Sequence, residues 1–137
     1  MPSPKARSSP SLIKRMLAEA SWLLSHAQAL TDYGRLEEAA TEQARAATCE
    51  EQLACLLEAD GQELEAAIHR VSAAACCEKL GQFSRAVTLL RAALSTPLSD
   101  DYRIRVEKQL ANCLRKTRQK LNRSSTRPTL GPTAASP

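Results

Sequence analysis

Aromatic residues are almost missing from this chain: Trp22, Tyr33, Phe83 and Tyr102 are the four in 137 residues. β-Branched residues are few as well, and Ala and Leu supply most of the 43% apolar fraction. These shortages argue against a sheet-based core, because strands are built from β-branched and aromatic side chains. Ala and Leu, by contrast, are strong helix formers. Glycine is scarce too, with four residues, and with the seven prolines it falls mostly at the ends or between candidate helices. The predicted class is all-α, one domain with a modest core.

Other absences narrow the chemistry. The five cysteines (Cys49, Cys55, Cys76, Cys77 and Cys113) form no C-x-x-C, and no Cys/His spacing suggests zinc. They read as reduced, buried core residues of an intracellular protein, not as disulfides. No Gly-rich phosphate loop is present. No signal peptide is expected, because Glu19, Ser21 and Ser25 break the longest apolar run near the N-terminus. No segment approaches the length of a membrane span, and a cytoplasmic location is expected, or a nuclear one in a eukaryote. His26 and His69 stand singly, and Cys76 and Cys77 point about 100° apart on a helix. The pairs Glu37-Glu38 and Glu50-Glu51 read as solvated helix faces. No convergent nucleophile, base and orienting group emerges. The expectation is therefore not an enzyme, with no catalytic, cofactor-binding or metal-binding residues and no cofactor.

What is present is a divided charge. The net charge of +4 conceals eleven acids against two bases (Arg35 and Arg45) over 17–65, and nine bases against one acid (Glu107) over 103–127. Such segments serve an outside partner, or pair within the fold or a dimer. Residues 1–10, basic and rich in Ser and Pro, are expected to be a disordered tail, as are 122–137. Between them, 11–121 forms the helical domain. The apolar spacing predicts helices over about 11–30, 35–60, 62–80, 84–95 and 100–121, with Gly34, Gly61 and Gly81 as stop signals. Glu50-Glu51 interrupts the apolar side of the second helix, so a bend or break near Thr48 to Glu51 is expected there, and whether 35–60 is one rod or two stays open. Ser99 is a good N-cap for the fifth helix, with Asp100 and Asp101 in its first turn.

One stretch is more specific. Ala73 and Ala74, then Leu80-Gly81-Gln82-Phe83, then Ala86, Leu89, Leu90, Ala93 and a terminal Pro97 give residues 70–97 the outline of two tightly folded helices. It resembles a tetratricopeptide repeat (TPR). A weaker copy covers 21–47, where Ala27 and Leu30 precede Gly34, Leu36 takes the place of Phe83, and Ala39 and Ala46 match Ala86 and Ala93. His26 stands where a leucine is usual, and Gly34 and Gly81 are 47 residues apart, where a tandem array would place them about 34 apart. The resemblance implies antiparallel helix pairs of unequal length in a short right-handed superhelix of about five helices, the fifth a cap. A generic antiparallel bundle is the plainer reading of the same pattern.

The resemblance also implies a protein–protein adaptor or scaffold that binds a partner's peptide or helix in a groove lined by the first helix of each pair. That lining would be Ser21, Leu24 and Gln28 with Ile68, Val71, Ala75 and Lys79; Leu24, Ile68 and Val71 serve equally well as core. A second reading rests on charge alone. Arg103, Arg105, Lys108, Arg115, Lys116, Arg118 and Lys120 make a basic face on the fifth helix, suited to nucleic-acid phosphates. Against it, no aromatics are interleaved for stacking and the middle of the chain is acidic. The same helix would fit the acidic second helix of another copy, giving a homo-oligomer. No membrane partner is expected.

Overall fold

The computed structural model describes residues 10–126. The flanking segments, with most of both expected tails, lie outside the described residues. Five helices follow one another: α1 (Pro10–Asp32), α2 (Leu36–Ala59), α3 (Glu63–Lys79), α4 (Phe83–Leu94) and α5 (Asp100–Thr126). No strand occurs among the described residues, so the all-α class stands. Each helix packs mainly on its neighbours in sequence, α1 on α2, α2 on α3, α3 on α4 and α4 on α5.

The first three connections are one turn used three times. Gly34, Gly61 and Gly81 have φ of +77°, +79° and +74°. In each case the glycine N–H donates three residues back, to Thr31, Glu58 and Glu78, at 2.9–3.0 Å. The next residue's N–H donates five back, from Arg35 to Leu30, Gln62 to Leu57 and Gln82 to Cys77, at 2.8–2.9 Å. This is the Schellman arrangement, which satisfies helix-end carbonyls while a left-handed residue reverses the chain. Five residues after each glycine stands an alanine (Ala39, Ala66, Ala86), and all three are buried. The Gly61 turn is therefore equal to the other two, and the helices form a continuous up-and-down series.

Small side chains set the helix spacing. Of the 25 buried hydrophobic residues described, twelve are alanine and four are cysteine. Such residues let helix backbones approach closely, toward the short end of the usual 8–10 Å. The main cluster draws on all five helices, with Leu23, Leu53, Leu90 and Val106 as its largest fully buried members and Phe83 packed against its edge. A satellite of Ala54, Leu57 and Ala66 lies at the α2–α3 turn, with Ile13 of α1 against it.

Several expectations need correction. The second helix is one unbroken rod of 24 residues, with no break near Thr48 to Glu51. Leu36 does not repeat the role of Phe83: it is 64% exposed. α5 runs past Leu121 to Thr126, so the first residues assigned to the C-terminal tail are helical. Leu121, the last residue expected in the helical domain, is 65% exposed. The Tyr102 N–H donates to Ser99 Oγ at 3.3 Å, giving α5 the cap expected of Ser99.

An ideal Cβ at Gly34, Gly61 or Gly81 would meet no atom within 4 Å, so alanine there adds backbone strain and nothing else. Each of Gly34→Ala, Gly61→Ala and Gly81→Ala should cost about 1–2 kcal/mol by urea denaturation. The three costs should agree closely, because the turns do.

Candidate interaction surfaces

α1 and α3 stand on the same side of α2 and leave a furrow whose floor is α2. At one end lies a cleft of about 450 Å³, lined by Ile13, Lys14 and Leu17 of α1, Leu57 of α2, and Glu65 and His69 of α3, among others. At the other end a cleft of about 480 Å³ is lined by Gln28 and Thr31 of α1, Ala39, Ala40 and Gln43 of α2, and Lys79 of α3. Of the seven groove residues predicted from sequence, Ser21, Leu24, Ile68, Val71 and Ala75 line neither cleft. Gln28 and Lys79 share the second cleft. Ser21, Gln28, Ile68, Ala75 and Lys79 are exposed, whereas Leu24 and Val71 are half-buried and pack on the core edge. Ile68, at 44% exposure, is thus not core, and with Leu64 at 46% it begins an apolar stripe that continues through Val71 and Ala75. Leu64 belongs to this stripe by its spacing of four from Ile68, a signal present in the sequence but missed as groove lining.

α2 carries two of the three buried polar residues described, Gln43 and Glu50. Glu50 of α2 is only 3% exposed, so it is not part of a solvated face. Its carboxylate meets His69 Nδ1 of α3 at 2.7 Å, and this partner is what makes its burial tolerable. Glu51 has a partner too, the Arg85 guanidinium of α4. Gln43 is buried beside Cys76, its side chain hydrogen-bonded to the thiol. All six ion pairs among the described residues use an α2 glutamate. The remaining four are His26–Glu42 at 3.9 Å, Arg35–Glu38 at 2.7 Å, Arg45–Glu42 at 3.5 Å and Arg70–Glu58 at 2.6 Å. Five of the eleven acids of 17–65 thus meet a basic side chain, from α1, α3 and α4, from Arg45 of α2 itself or from Arg35 just before it.

The basic residues of α5 fare differently. Arg103 leaves the basic face: it is half-buried and donates to the Leu94 and Thr96 carbonyls at 3.2 and 2.9 Å, closing the C-terminus of α4. The other six are exposed, and none is in an ion pair among the described residues. Arg105 lies 5.9 Å from the Tyr102 ring and Lys116 6.0 Å from the Phe83 ring. Arg115 donates to Asn112 Oδ1, and Lys120 reaches the Gly81 carbonyl at 3.5 Å.

All five cysteines are free thiols, four of them buried and Cys55 exposed, which corrects the expectation that all are core. Burial raises the Cys49 and Cys76 thiols above their ordinary value, with nearby glutamates adding to it. It pushes Cys77 up to about 11 and Cys113 to about 12. No group of three or more His, Cys, Asp or Glu that could hold a metal ion occurs among the described residues. No helix among them is long and apolar enough to cross a membrane. Comparison with known proteins finds no significant match among family models, curated proteins or solved structures.

Two outcomes are expected. His69→Ala strands the Glu50 carboxylate and should cost about 3 kcal/mol in a urea titration, while Glu50→Leu with His69→Leu together should cost far less or stabilise. At pH 8, a thiol reagent such as DTNB should modify Cys55 rapidly in the native protein. The four buried thiols should react only on denaturation, since both access and thiolate are denied them.

Proposed function

We propose that this chain is a non-enzymatic protein–protein adaptor of TPR-like type, which seats a helix or extended peptide of a partner protein in the furrow between α1 and α3. The observation that carries the reading is the apolar stripe of Leu64, Ile68, Val71 and Ala75 along the outer side of α3. Packing within the chain does not account for Leu64 and Ile68, both well exposed. An exposed apolar stripe with this helical spacing is the kind of surface on which an amphipathic segment is bound. The paired, Gly-turned helices support the TPR-like part, and a shallow right-handed superhelix is the arrangement that would curve α1 and α3 around a ligand. Two pairs and a cap are few for a repeat array, so docking on a larger assembly or self-association belongs to this reading. A reducing, cytoplasmic-type compartment would suit the buried free thiols.

The test uses a photo-crosslinking residue at Ile68, with a matched protein labelled at exposed Arg91 of α4 as control. A partner trapped through position 68 and not through 91, purified and titrated by calorimetry, should bind the unlabelled chain. Ile68→Glu should weaken that binding at least about tenfold, while changing stability by no more than about 0.5 kcal/mol, as for other surface changes. Equal trapping at both positions, or undiminished binding by Ile68→Glu, removes the furrow as the site.

A further inference from the structure

α5 is the longest helix, with 27 residues against 12 in the α4 it packs on. At 1.5 Å per residue these lengths are about 40 and 18 Å, so α5 outruns its support. Val106 and Cys113 are its buried anchors. From Arg118 to Arg123 every residue is exposed. From Lys108 to Thr126 the helix contains no acidic residue at all.

At about 100° per residue, Arg105, Lys108, Arg115, Lys116, Arg118 and Lys120 spread over an arc of about 200°, with Lys108 and Arg115 facing away from Val106 and Cys113, Arg118 on one flank, and Arg105, Lys116 and Lys120 on the other, Lys120 reaching back toward the Gly81 carbonyl. A single acidic peptide or helix lying on one side of α5 would meet only part of this arc. A B-DNA major groove is about 12 Å wide and admits one α-helix, with phosphate walls on both flanks. Cations on both flanks and along the crest are what that environment calls for. A second copy of this chain is a poorer occupant, because five of the glutamates on α2 already hold partners.

We propose that the outer face of α5 is a binding surface for double-stranded DNA, with α5 entering the major groove and its lysines and arginines contacting backbone phosphates. The surface is separate from the furrow between α1 and α3 and does not depend on what the furrow binds. Recognition is through phosphates, so affinity is tolerant of sequence and falls steeply with salt. Duplex RNA is a poor substitute, because its A-form major groove is deep and narrow.

The experiment is fluorescence anisotropy of the full chain with a fluorescein-labelled mixed-sequence DNA duplex of about 20 base pairs, titrated from about 50 to 250 mM NaCl. Binding is expected in the micromolar range or tighter at the lowest salt, with a log–log slope of about −4 to −5, since each phosphate contact contributes about −0.9. Arg115→Ser, Lys116→Ser, Arg118→Ser and Lys120→Ser combined should flatten that slope by about 3 to 4 units and weaken binding at least about a hundredfold. Circular dichroism should show the helices retained. An RNA duplex of the same sequence should bind at least about tenfold more weakly. No binding at low salt, an unchanged slope in the variant, or equal affinity for duplex RNA or for polyglutamate of matched charge overturns the proposal. A chain that sediments as a dimer at low salt, and as a monomer in the variant, also overturns it by giving the surface to a second copy.

Discussion

Everything in this fold depends on how closely two helices approach at a glycine turn. The left-handed glycine reverses the chain in the fewest residues, and the alanine five positions later is the first buried residue of the new helix. Its amide already bonds the carbonyl of the residue after the glycine, at 3.0 or 3.1 Å, so its position is tied to the turn and cannot relax away from it. A larger side chain at Ala39, Ala66 or Ala86 would pry the two helices apart where the backbone allows least adjustment. Repeating the device three times spaces α1 to α4 by one rule. The interior that results is thin, filled by alanine and cysteine with a few leucines, and it has little bulk with which to tolerate error.

α2 is the member on which the others converge. It packs on both α1 and α3, and its glutamates hold bases from α1, α3 and α4. Burying Glu50 carries a desolvation penalty that an apolar residue would avoid. What the Glu50–His69 contact supplies is registry: with the pair 2.7 Å apart, sliding α3 one turn along α2 would strand a buried carboxylate. In a core where nearly half the buried hydrophobic residues are alanine, and several registers pack almost equally well, a polar pair of this kind discriminates among them. The electrostatic consequence reaches the far end of the chain. With five α2 glutamates held by near neighbours, the cations of α5 are left to the solvent side.

The elements were legible because their signals are local. Glycines punctuate, Ala and Leu recur at helical spacing, and Ser99 with two aspartates marks the start of α5, so observed helix ends fall within about two residues of the expected ones, except at the C-terminus of α5. What could not be read depends on distant partners. Glu50 looks like an interruption until His69, 19 residues on, is brought against it, and the supposed break in α2 disappears for the same reason. Leu36 and Phe83 occupy equivalent places in sequence, yet only Phe83 has the core of α3, α4 and α5 to lean on. Arg103 reads as one of a row of cations until α4 is seen to end beside it. The furrow was legible in outline, since helices alternating in direction must place α1 and α3 on related sides. Its apolar stripe was ambiguous because Leu, Ile and Val at helical spacing describe a core face and a groove equally.

The furrow and the close packing have a common origin. α1 and α3 both pack on α2, and small or compact side chains, Ala20, Leu23 and Ala27 on one and Ala66, Ala73 and Ala74 on the other, are buried along them. α2 answers with Ala39, Ala46 and Ala47 beside the larger Gln43 and Glu50, so at the Ala39–Ala40 end it lies low and leaves a cleft above itself. Leucines at Ala39 and Ala40 would fill the cleft beside Lys79 from below and, by spreading the first turn, would also loosen the helix pair. The alanines that let three helices pack tightly therefore also leave two of them standing as walls. A surface available to a partner follows from the way the core is built, with no loop or insertion devoted to making it.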